Sequence, residues 1–218
     1  MVFAALLVLL LGPPTILLAF RYVPPPVTPL MIIRLFEGEG LRKSWTSLRR
    51  MPPSVVQAAI ASEDNRFCTH SGFDWNSINA AIEDWRAGGR LRGGSTISMQ
   101  TAKNLFLWPG RSWVRKVLEA WLTVQLELLW DKRRIMEVYL NVAETGPGIY
   151  GVAAAAEAHF GKDVADLSAR EAALIIAVLP SPRSWSAAKP GPYTQGRART
   201  IQARIRQLGP LLDCVRGE

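Results

Sequence analysis

The sequence lacks the features that mark several common protein classes. With only two cysteines and two histidines in 218 residues, it cannot be a disulfide-dense scaffold. Cys68 and Cys214 do not have the spacing of a zinc motif, and His70 and His159 are not arranged to complete one. We find no internal repeat and no period-two series of strands. The composition, 49% hydrophobic and 20% charged, is that of one globular domain with a short appendage.

Charge is missing from the N-terminal segment, where no Lys, Arg, Asp or Glu precedes Arg21. A helix over Val2–Phe20 would be roughly 28 Å long, close to the hydrocarbon thickness of a bilayer. We therefore expect a transmembrane anchor over residues 1–21. Residues 22–44 should form a juxtamembrane stalk, which is proline-rich up to Thr28, and a membrane-proximal segment. A cleaved signal peptide and a buried core helix are the alternatives, although the segment lacks both a positive n-region and a polar face.

Acidic residues are missing from Trp85 to Leu118, a stretch that holds seven Lys or Arg residues. These cations nearly equal the formal net charge of the whole chain, which is +8. Basic stretches of this kind commonly bind nucleic acid, an anionic membrane or an anionic substrate. The charge alone does not separate these three classes of partner.

The rest of the chain has helical periodicity, so the predicted fold class is mainly α. Proline or glycine residues separate several of the segments, and Ser168 and Glu171 have capping-box spacing. The predicted helices are 54–62, 75–87, a segment that ends at 107, 112–130, 132–143, 152–160, 168–179 and 195–208.

Two short motifs have a non-catalytic explanation. Residues 146–151 match GxGxxG, but the preceding segment looks helical, so we interpret them as a turn and not as a dinucleotide site. Residues 186–189 match SxxK without the KTG or SDN partners of a transpeptidase. The two cysteines are compatible with a disulfide outside the cytoplasm or with two buried thiols.

Two glutamates are candidate catalytic groups. Glu63 follows an apolar helix, where a carboxylate can act as a general base, although a solvated acidic pair with Asp64 is the alternative. Glu119 lies on the polar face of a long helix whose opposite face, from Trp113 to Leu128, is apolar and expected to be buried. An ordinary intrahelical salt bridge is the alternative for Glu119.

A polar loop precedes the second glutamate. Residues 93–104 are rich in glycine, serine and threonine, and such a loop can cradle an anion through backbone N–H groups. It is not a Walker loop, because the GK[ST] ending is absent. Four cations surround the second glutamate in the sequence and predict a phosphate-binding site beside it: Lys103, Arg111, Arg115 and Lys116.

These residues resemble the motifs of family 51 glycosyltransferases, which are the peptidoglycan polymerases. The similar segments are 63–72 (EDxxFxxHxG in the family), 93–100 (GGSTITQQ), 115–119 (RKxxE) and 132–141 (KxxIxxxYLN). The motifs occur in order, the resemblance covers residues 45–185, and no transpeptidase motif accompanies them, as in the monofunctional members. The sequence departs from the family at Cys68, Ser98 and Met99, close to the expected site, so altered turnover is one expectation.

The resemblance implies a lysozyme-like domain over residues 45–218. This domain would polymerise glycan strands from lipid II, a disaccharide-pentapeptide on undecaprenyl diphosphate. Glu63 would be the general base, and Glu119 would serve the leaving-group side, where it holds a divalent cation (Mg²⁺ or Mn²⁺) or orders the cations. The diphosphate would be bound by Lys103, Arg111, Arg115 and Lys116. Other residues expected to line the site are Asp64, Phe67, His70, Ser95, Thr96, Gln100 and Asn104.

The resemblance also predicts partners and a location. We expect a single-pass protein of the bacterial inner membrane that acts on lipid II and nascent glycan on the periplasmic side. Cell-division or elongation proteins are candidate partners, and nucleic acid is not. The alternatives are a lysozyme-like hydrolase and a membrane-tethered basic module for nucleic acid or anionic lipid. A hydrolase of neutral glycan does not need four cations around a carboxylate, and a binding module would expose its cations among aromatic residues.

Overall fold

A computed structural model describes residues 2–89, 94–110, 112–208 and 212–215, without the side chains of residues 2–10. This part of the chain is mainly α, as predicted, and most helix ends lie close to their predicted positions. The α-helices are α1 (Val2–Phe20), α2 (Pro29–Phe36), α3 (Pro53–Glu63), α4 (Trp75–Arg86), α5 (Ile97–Phe106), α6 (Trp113–Leu129), α7 (Lys132–Val142), α8 (Val152–Phe160), α9 (Ala169–Ala177) and α10 (Pro192–Ile205).

Polar N-cap side chains explain where several of these helices begin. Thr96, Ser112, Asp131 and Ser168 each accept a hydrogen bond from the backbone N–H three residues further on. A cap of this type contributes about 1 kcal/mol to helix stability. The Glu171 carboxylate also accepts from the Ser168 backbone N–H at 2.9 Å, so the predicted capping box is confirmed.

A small three-stranded sheet packs against α8, where the sequence predicted no strands. Its strands are β1 (Arg42–Lys43), β2 (Glu144–Gly146) and β3 (Ile149–Tyr150), in the order β1-β3-β2. β1 pairs with β3 in parallel, and β2 pairs with β3 in antiparallel orientation. Strands of two or three residues are too short to show the period-two pattern that identifies a strand.

The GxGxxG sequence forms the β2–β3 hairpin, so its interpretation as a turn is confirmed. Gly148 has a φ of +65°, and a Cβ atom at this position would lie 2.1 Å from the Glu39 carbonyl oxygen. Only glycine fits a left-handed conformation at such a close backbone approach. Helix α7 precedes the hairpin, which is not the βαβ setting of a dinucleotide site.

The core consists of two groups of packed helices. α3, α9 and α10 pack together, and α5 packs against both α6 and α7. The Asn141 side chain at the end of α7 accepts from the Thr46 N–H and donates to the Thr46 carbonyl oxygen, both at 2.8 Å. This exchange attaches the segment before α3 to the second group.

Helix α6 is oriented opposite to the expectation from its sequence. Its polar stripe is buried, and Glu119 on that stripe is only 3% exposed. Its apolar stripe is exposed, and Trp113 on that stripe is 87% exposed. The prediction of a buried apolar face is therefore wrong, because the α6 surface that faces α5 and residues 94–96 carries charges that are paired with one another.

Helix α1 packs against α6 and the start of α7. The Trp130 indole N–H donates to the Leu17 carbonyl oxygen at 2.7 Å, and the Arg134 guanidinium donates to the Phe20 carbonyl oxygen at 2.9 Å. Leu17 is completely buried by this packing. Within the described residues, no helix has the combination of length and hydropathy that a membrane crossing requires.

Cys68 and Cys214 form a disulfide, so the sequence-based alternative of two separate thiols is wrong. The bond joins the 3-10 turn Phe67–Thr69 to the segment after α10, across a separation of 146 residues. Leu212 and Val215 in this segment are buried in the core. The disulfide therefore links the end of the described chain to the turn that follows α3.

Candidate active site

Two adjoining cavities contain most of the predicted site residues. The Glu63 cavity, of about 390 Å³, lies between the end of α3, residues 94–96 and α10, and includes Glu63, Asp64, Ser95 and Thr96. The Lys103 cavity, of about 480 Å³, lies between α2, α5, α6 and β2, and includes Ser95, Gln100, Lys103, Asn104 and Arg115. Ser95 lines both cavities, so they meet at this residue.

The Glu63 carboxylate ends α3 and is held by three neighbouring groups. Oε1 accepts from the Ser62 hydroxyl at 2.7 Å and from the Arg197 guanidinium at 3.0 Å. Oε2 accepts from the Gln100 amide at 3.2 Å, and this amide is oriented by the Tyr139 hydroxyl, which donates to its oxygen at 3.3 Å. Burial raises the pKa of Tyr139 well above its ordinary value, so the phenol remains a neutral donor.

Asp64 connects the end of α3 to the start of α5. Its Oδ1 lies 3.0 Å from Nε2 of His70, and its Oδ2 accepts from the Ile97 backbone N–H at 3.0 Å. The side chains of Asp64 and His70 are nearly inaccessible, so a solvated acidic pair of Glu63 and Asp64 does not describe this site. Thr96, the N-cap of α5, reinforces the same junction.

Phe67 lies in the core and does not line the Glu63 cavity. Its side chain is completely buried, and Nζ of Lys132 lies 4.6 Å from the centre of its ring. Lys132 also donates to the Glu127 carboxylate at 2.6 Å. The aromatic residue therefore supports the turn that follows α3 through packing and a cation–π contact.

Ser98 and Met99, the two departures from the GGSTITQQ motif, are buried and line neither of the two cavities. Met99 is buried, and Gln100 next to it is the side chain that reaches Glu63. The Ser98 hydroxyl donates to the Glu127 carboxylate. Both departures therefore affect the support of α5 and leave the contact between Gln100 and Glu63 in place.

Glu119 is paired with two cations on its own helix. Its Oε2 accepts from Arg115 at 2.9 Å, and its Oε1 accepts from Lys116 at 2.6 Å. Lys116 also donates to the Ser95 hydroxyl at 3.0 Å, where the two cavities meet. The intrahelical salt bridge that the sequence allowed is therefore present and extends to the site. Arg111, the fourth predicted cation, lies outside the described residues.

Lys103 is the cation most affected by its surroundings. Burial lowers the pKa of its ammonium group below the ordinary value, and the nearby charges of Arg115 and Lys116 lower it further. The carboxylates of Glu119 and Glu63 act in the opposite direction. An anion in the Lys103 cavity would stabilise the charged form, so the cavity favours an anionic ligand.

The carboxylates of the site do not fit a preformed metal centre. Among the described residues, no three His, Cys, Asp or Glu side chains are grouped so that they could hold an ion. Both oxygens of Glu119 already accept hydrogen bonds from cations, so Glu119 in this arrangement does not fit as a metal ligand. An Mg²⁺ or Mn²⁺ ion would need the oxygens of a bound diphosphate and water for its ligands.

The structure brings residues to the cavities that sequence reasoning missed. Arg204 of α10 lines the Glu63 cavity, and Arg197 of the same helix binds the Glu63 carboxylate. The sequence shows only a basic helix here, and no local motif relates Arg197 to Glu63. Arg34 and Glu144 line the Lys103 cavity, with Nε of Arg34 3.4 Å from Oε1 of Glu144. Burial raises the pKa of the Glu144 carboxyl, and Arg34 opposes this shift.

Comparison with known proteins identifies the family. The family model described as Transglycosylase matches residues 31–206, so the chain belongs to this family, and the resemblance of its motifs is confirmed. It is similar to proteins named biosynthetic peptidoglycan transglycosylase in several bacteria. The Rhodospirillum centenum protein is 56% identical over 188 residues, which are 86% of this chain and 81% of that relative. The Caulobacter vibrioides protein is 49% identical over 215 residues, which are 97% and 93% of the two chains. The Pseudomonas aeruginosa protein is 50% identical over 195 residues, or 87% and 84%.

Proposed function

We propose that the protein is a peptidoglycan glycosyltransferase that polymerises glycan strands from lipid II. The observation that carries the proposal is that the Glu63 cavity and the Lys103 cavity meet at Ser95. A carboxylate thereby adjoins a cationic cavity, and sugar transfer from a lipid diphosphate needs both groups. The names of the similar proteins support the same activity.

In the proposed reaction, the growing chain moves from its undecaprenyl diphosphate to the 4-hydroxyl of lipid II. Glu63 accepts the proton of this hydroxyl while its oxygen forms the bond to the anomeric carbon. The bond between that carbon and the diphosphate oxygen breaks, and the diphosphate leaves with the electron pair. Attack opposite the leaving group inverts the anomeric configuration and produces a β-1,4 linkage.

On the leaving-group side, Lys103, Arg115 and Lys116 would neutralise the diphosphate, and Glu119 would keep the last two in position. Cations that are fixed before the reaction stabilise the developing negative charge without reorganisation. Arg111 is proposed to join them from its place in the sequence. A divalent cation bound by the diphosphate would add positive charge on the leaving-group side. The roles of Glu63 and of the cationic side chains do not depend on it.

We further propose that the domain works at a membrane surface in the cell envelope, with α1 as its anchor. The support is the charge-free sequence of residues 2–20, the packing of α1 against α6, and the exposed apolar stripe of α6. A lipid-linked substrate would be presented at such a surface. The Cys68–Cys214 disulfide favours an oxidising compartment such as the periplasm. Contacts with division or elongation proteins stay predictions.

The test of this function is the Glu63→Gln variant. Because the amide has nearly the same shape but cannot take the proton, we expect glycan polymerisation to be abolished, with lipid II affinity within about threefold of the wild type. Products from labelled lipid II are resolved on a gel, and lipid II binding is measured separately. The matched control is Glu157→Gln, on the exposed surface of α8, which should leave polymerisation unchanged.

Near-normal glycan synthesis by Glu63→Gln would contradict the general-base role. The same assay, run with Mg²⁺ and with EDTA, tests the divalent cation. Equal rates in the two conditions would contradict its participation.

A further inference from the structure

Arg197 reaches Glu63 from a helix much later in the chain. Its Nη2 lies 3.0 Å from Oε1 of Glu63 and 2.9 Å from the hydroxyl of Ser62. The two charged side chains are largely enclosed, with 27% of Arg197 and 12% of Glu63 exposed. An enclosed pair is screened less by water and salt than a surface pair, and a third partner restricts its geometry further.

The two oxygens of Glu63 differ in how fully their lone pairs are used. Oε1 accepts two hydrogen bonds, from Ser62 at 2.7 Å and from Arg197 at 3.0 Å. Oε2 accepts one, from Gln100 at 3.2 Å. Since a carboxylate has about four acceptor sites on its two oxygens, Oε1 is fully used and Oε2 keeps one free site.

We propose that Arg197 is a positioning residue that holds Glu63 so that Oε2 receives the substrate proton. The proposal rests on the function proposed above, in which Glu63 is the general base. Arg197 binds the oxygen that does not face the reaction, so it does not compete with the acceptor hydroxyl. It also offsets the cost of enclosing an ionised carboxylate.

The packing of α10 explains why the guanidinium group is placed here. Thr194, Ala198 and Ile201 are the buried residues of this helix, which packs on α3 and α9. Their spacing of three or four residues places them on one face. Arg197 precedes Ala198 and lies one turn before Ile201. The same packing therefore fixes the position of Arg197 along the helix and the direction of its side chain.

Without Arg197, the carboxylate can rotate about its terminal torsion, which has a broad energy minimum. The fraction of enzyme with Oε2 directed at the acceptor hydroxyl would then fall. Misorientation of a reacting group lowers the rate of the chemical step more than it lowers substrate binding. The lipid diphosphate would still be bound by the cations of the Lys103 cavity. We therefore expect the loss of Arg197 to lower kcat and to leave KM nearly unchanged.

The experiment compares Arg197→Ala, Arg197→Gln and Arg197→Lys in the full chain, with Arg199→Ala as the matched control. Arg199 is exposed on the same helix, and its removal changes the net charge by the same amount. We expect Arg197→Ala to lower kcat for lipid II polymerisation about tenfold or more, with KM within about threefold. Arg197→Lys should recover part of kcat. Added guanidinium ion should also restore part of the activity of Arg197→Ala, which it would not do after a general loss of stability.

Two results would overturn the proposal: an unchanged kcat in Arg197→Ala, or a rise in KM alone. If Arg197→Ala does not fold, Arg197→Gln decides, because its amide has no charge and its side chain is too short to replace the contact of Nη2 with Glu63, and a wild-type kcat there would overturn the role. Glu63→Gln separates this proposal from the proposed function. An active Glu63→Gln enzyme contradicts the general base itself, whereas an inactive Glu63→Gln with a fully active Arg197→Ala contradicts only the positioning role.

Discussion

The charge state of Lys103 controls how strongly its cavity attracts an anion. Burial disfavours the ammonium form and lowers the pKa of this group. A diphosphate needs the charged form of Lys103. As the pH rises through the lowered pKa, the cavity therefore loses the positive charge of Lys103.

This behaviour predicts how ligand binding depends on pH. The affinity for a diphosphate lipid, or for a phosphoglycolipid such as moenomycin, should fall as the pH rises. This fall should occur at a lower pH than it would with a lysine of ordinary pKa. Arginine cannot deprotonate in this range, so Lys103→Arg should remove that alkaline fall. Lys103→Ala should weaken binding about tenfold or more at neutral pH, where one charge-assisted hydrogen bond is lost. Isothermal titration calorimetry at several pH values measures these affinities.

The exposed Lys189 supplies the control for the Lys103→Ala variant. Lys189→Ala removes the same charge from a side chain outside both cavities and should bind the inhibitor as the wild type does. An equal affinity of Lys103→Ala and Lys189→Ala would contradict the role of Lys103.

Among the elements, α6 shows most clearly what an amphipathic pattern leaves undetermined. The pattern correctly separates a polar stripe around Glu119 from an apolar stripe that includes Leu128. It does not say which stripe faces the interior, because the usual assignment assumes that water lies on the polar side. Here Arg115 of the polar stripe lines the Lys103 cavity, and the apolar stripe is exposed.

The proposed contact between the apolar stripe of α6 and a lipid surface leads to a prediction for Leu128→Asp. Transfer of a leucine side chain from water to an apolar environment contributes about 1.5–3 kcal/mol, so we expect the variant to bind lipid vesicles roughly tenfold more weakly. Its activity on detergent-dispersed lipid II should stay close to that of the wild type. Sedimentation with vesicles measures the first property, and the gel assay measures the second.

The control for this prediction is Trp85→Asp, which changes an exposed aromatic residue on α4. Trp85→Asp should sediment with vesicles as the wild type does. If Leu128→Asp also sediments unchanged, the apolar stripe of α6 does not contact lipid.

The helices were predictable because their signals are local. Thr96, Ser112 and Ser168 mark starts that depend only on neighbouring backbone N–H groups. The motifs also identified the glutamates and cations that the structure gathers around the two cavities. By contrast, the contact of Arg197 with Glu63 depends on the packing of α10 against α3, which no nearby residue encodes. The pairing of β1 was missed for a related reason, since its partner β3 is more than a hundred residues away, whereas β2 and β3 were missed because they are too short.

On the scale of the whole molecule, the disulfide closes most of the chain into one loop. Cys68 lies in the turn after the Glu63–Asp64 pair, and Cys214 lies beyond α10. The bond therefore attaches the helix that carries Arg197 to the segment that carries the carboxylate. A long closed loop restricts the unfolded chain strongly, and such bonds typically contribute 2–4 kcal/mol.

We therefore expect a Cys68→Ala/Cys214→Ala variant to be less stable. The free energy of unfolding should fall by about 2–4 kcal/mol relative to the oxidised wild type. Chemical denaturation with and without dithiothreitol measures the difference. Reductant should destabilise the wild type and leave the double variant unchanged, and identical midpoints for the oxidised wild type and the variant would contradict the prediction.

The separation between Arg197 and Glu63 has a consequence for biosynthesis. The ribosome produces α3 long before α10, since the two partners of this contact are 134 positions apart in the sequence. Until α10 has emerged and docked, Glu63 lacks its guanidinium partner, and Cys214 is not yet available to close the loop. A nascent chain that already meets the lipid surface through α1 would thus have an incomplete catalytic carboxylate site. Glycan synthesis at the full rate would therefore begin only when translation has passed α10.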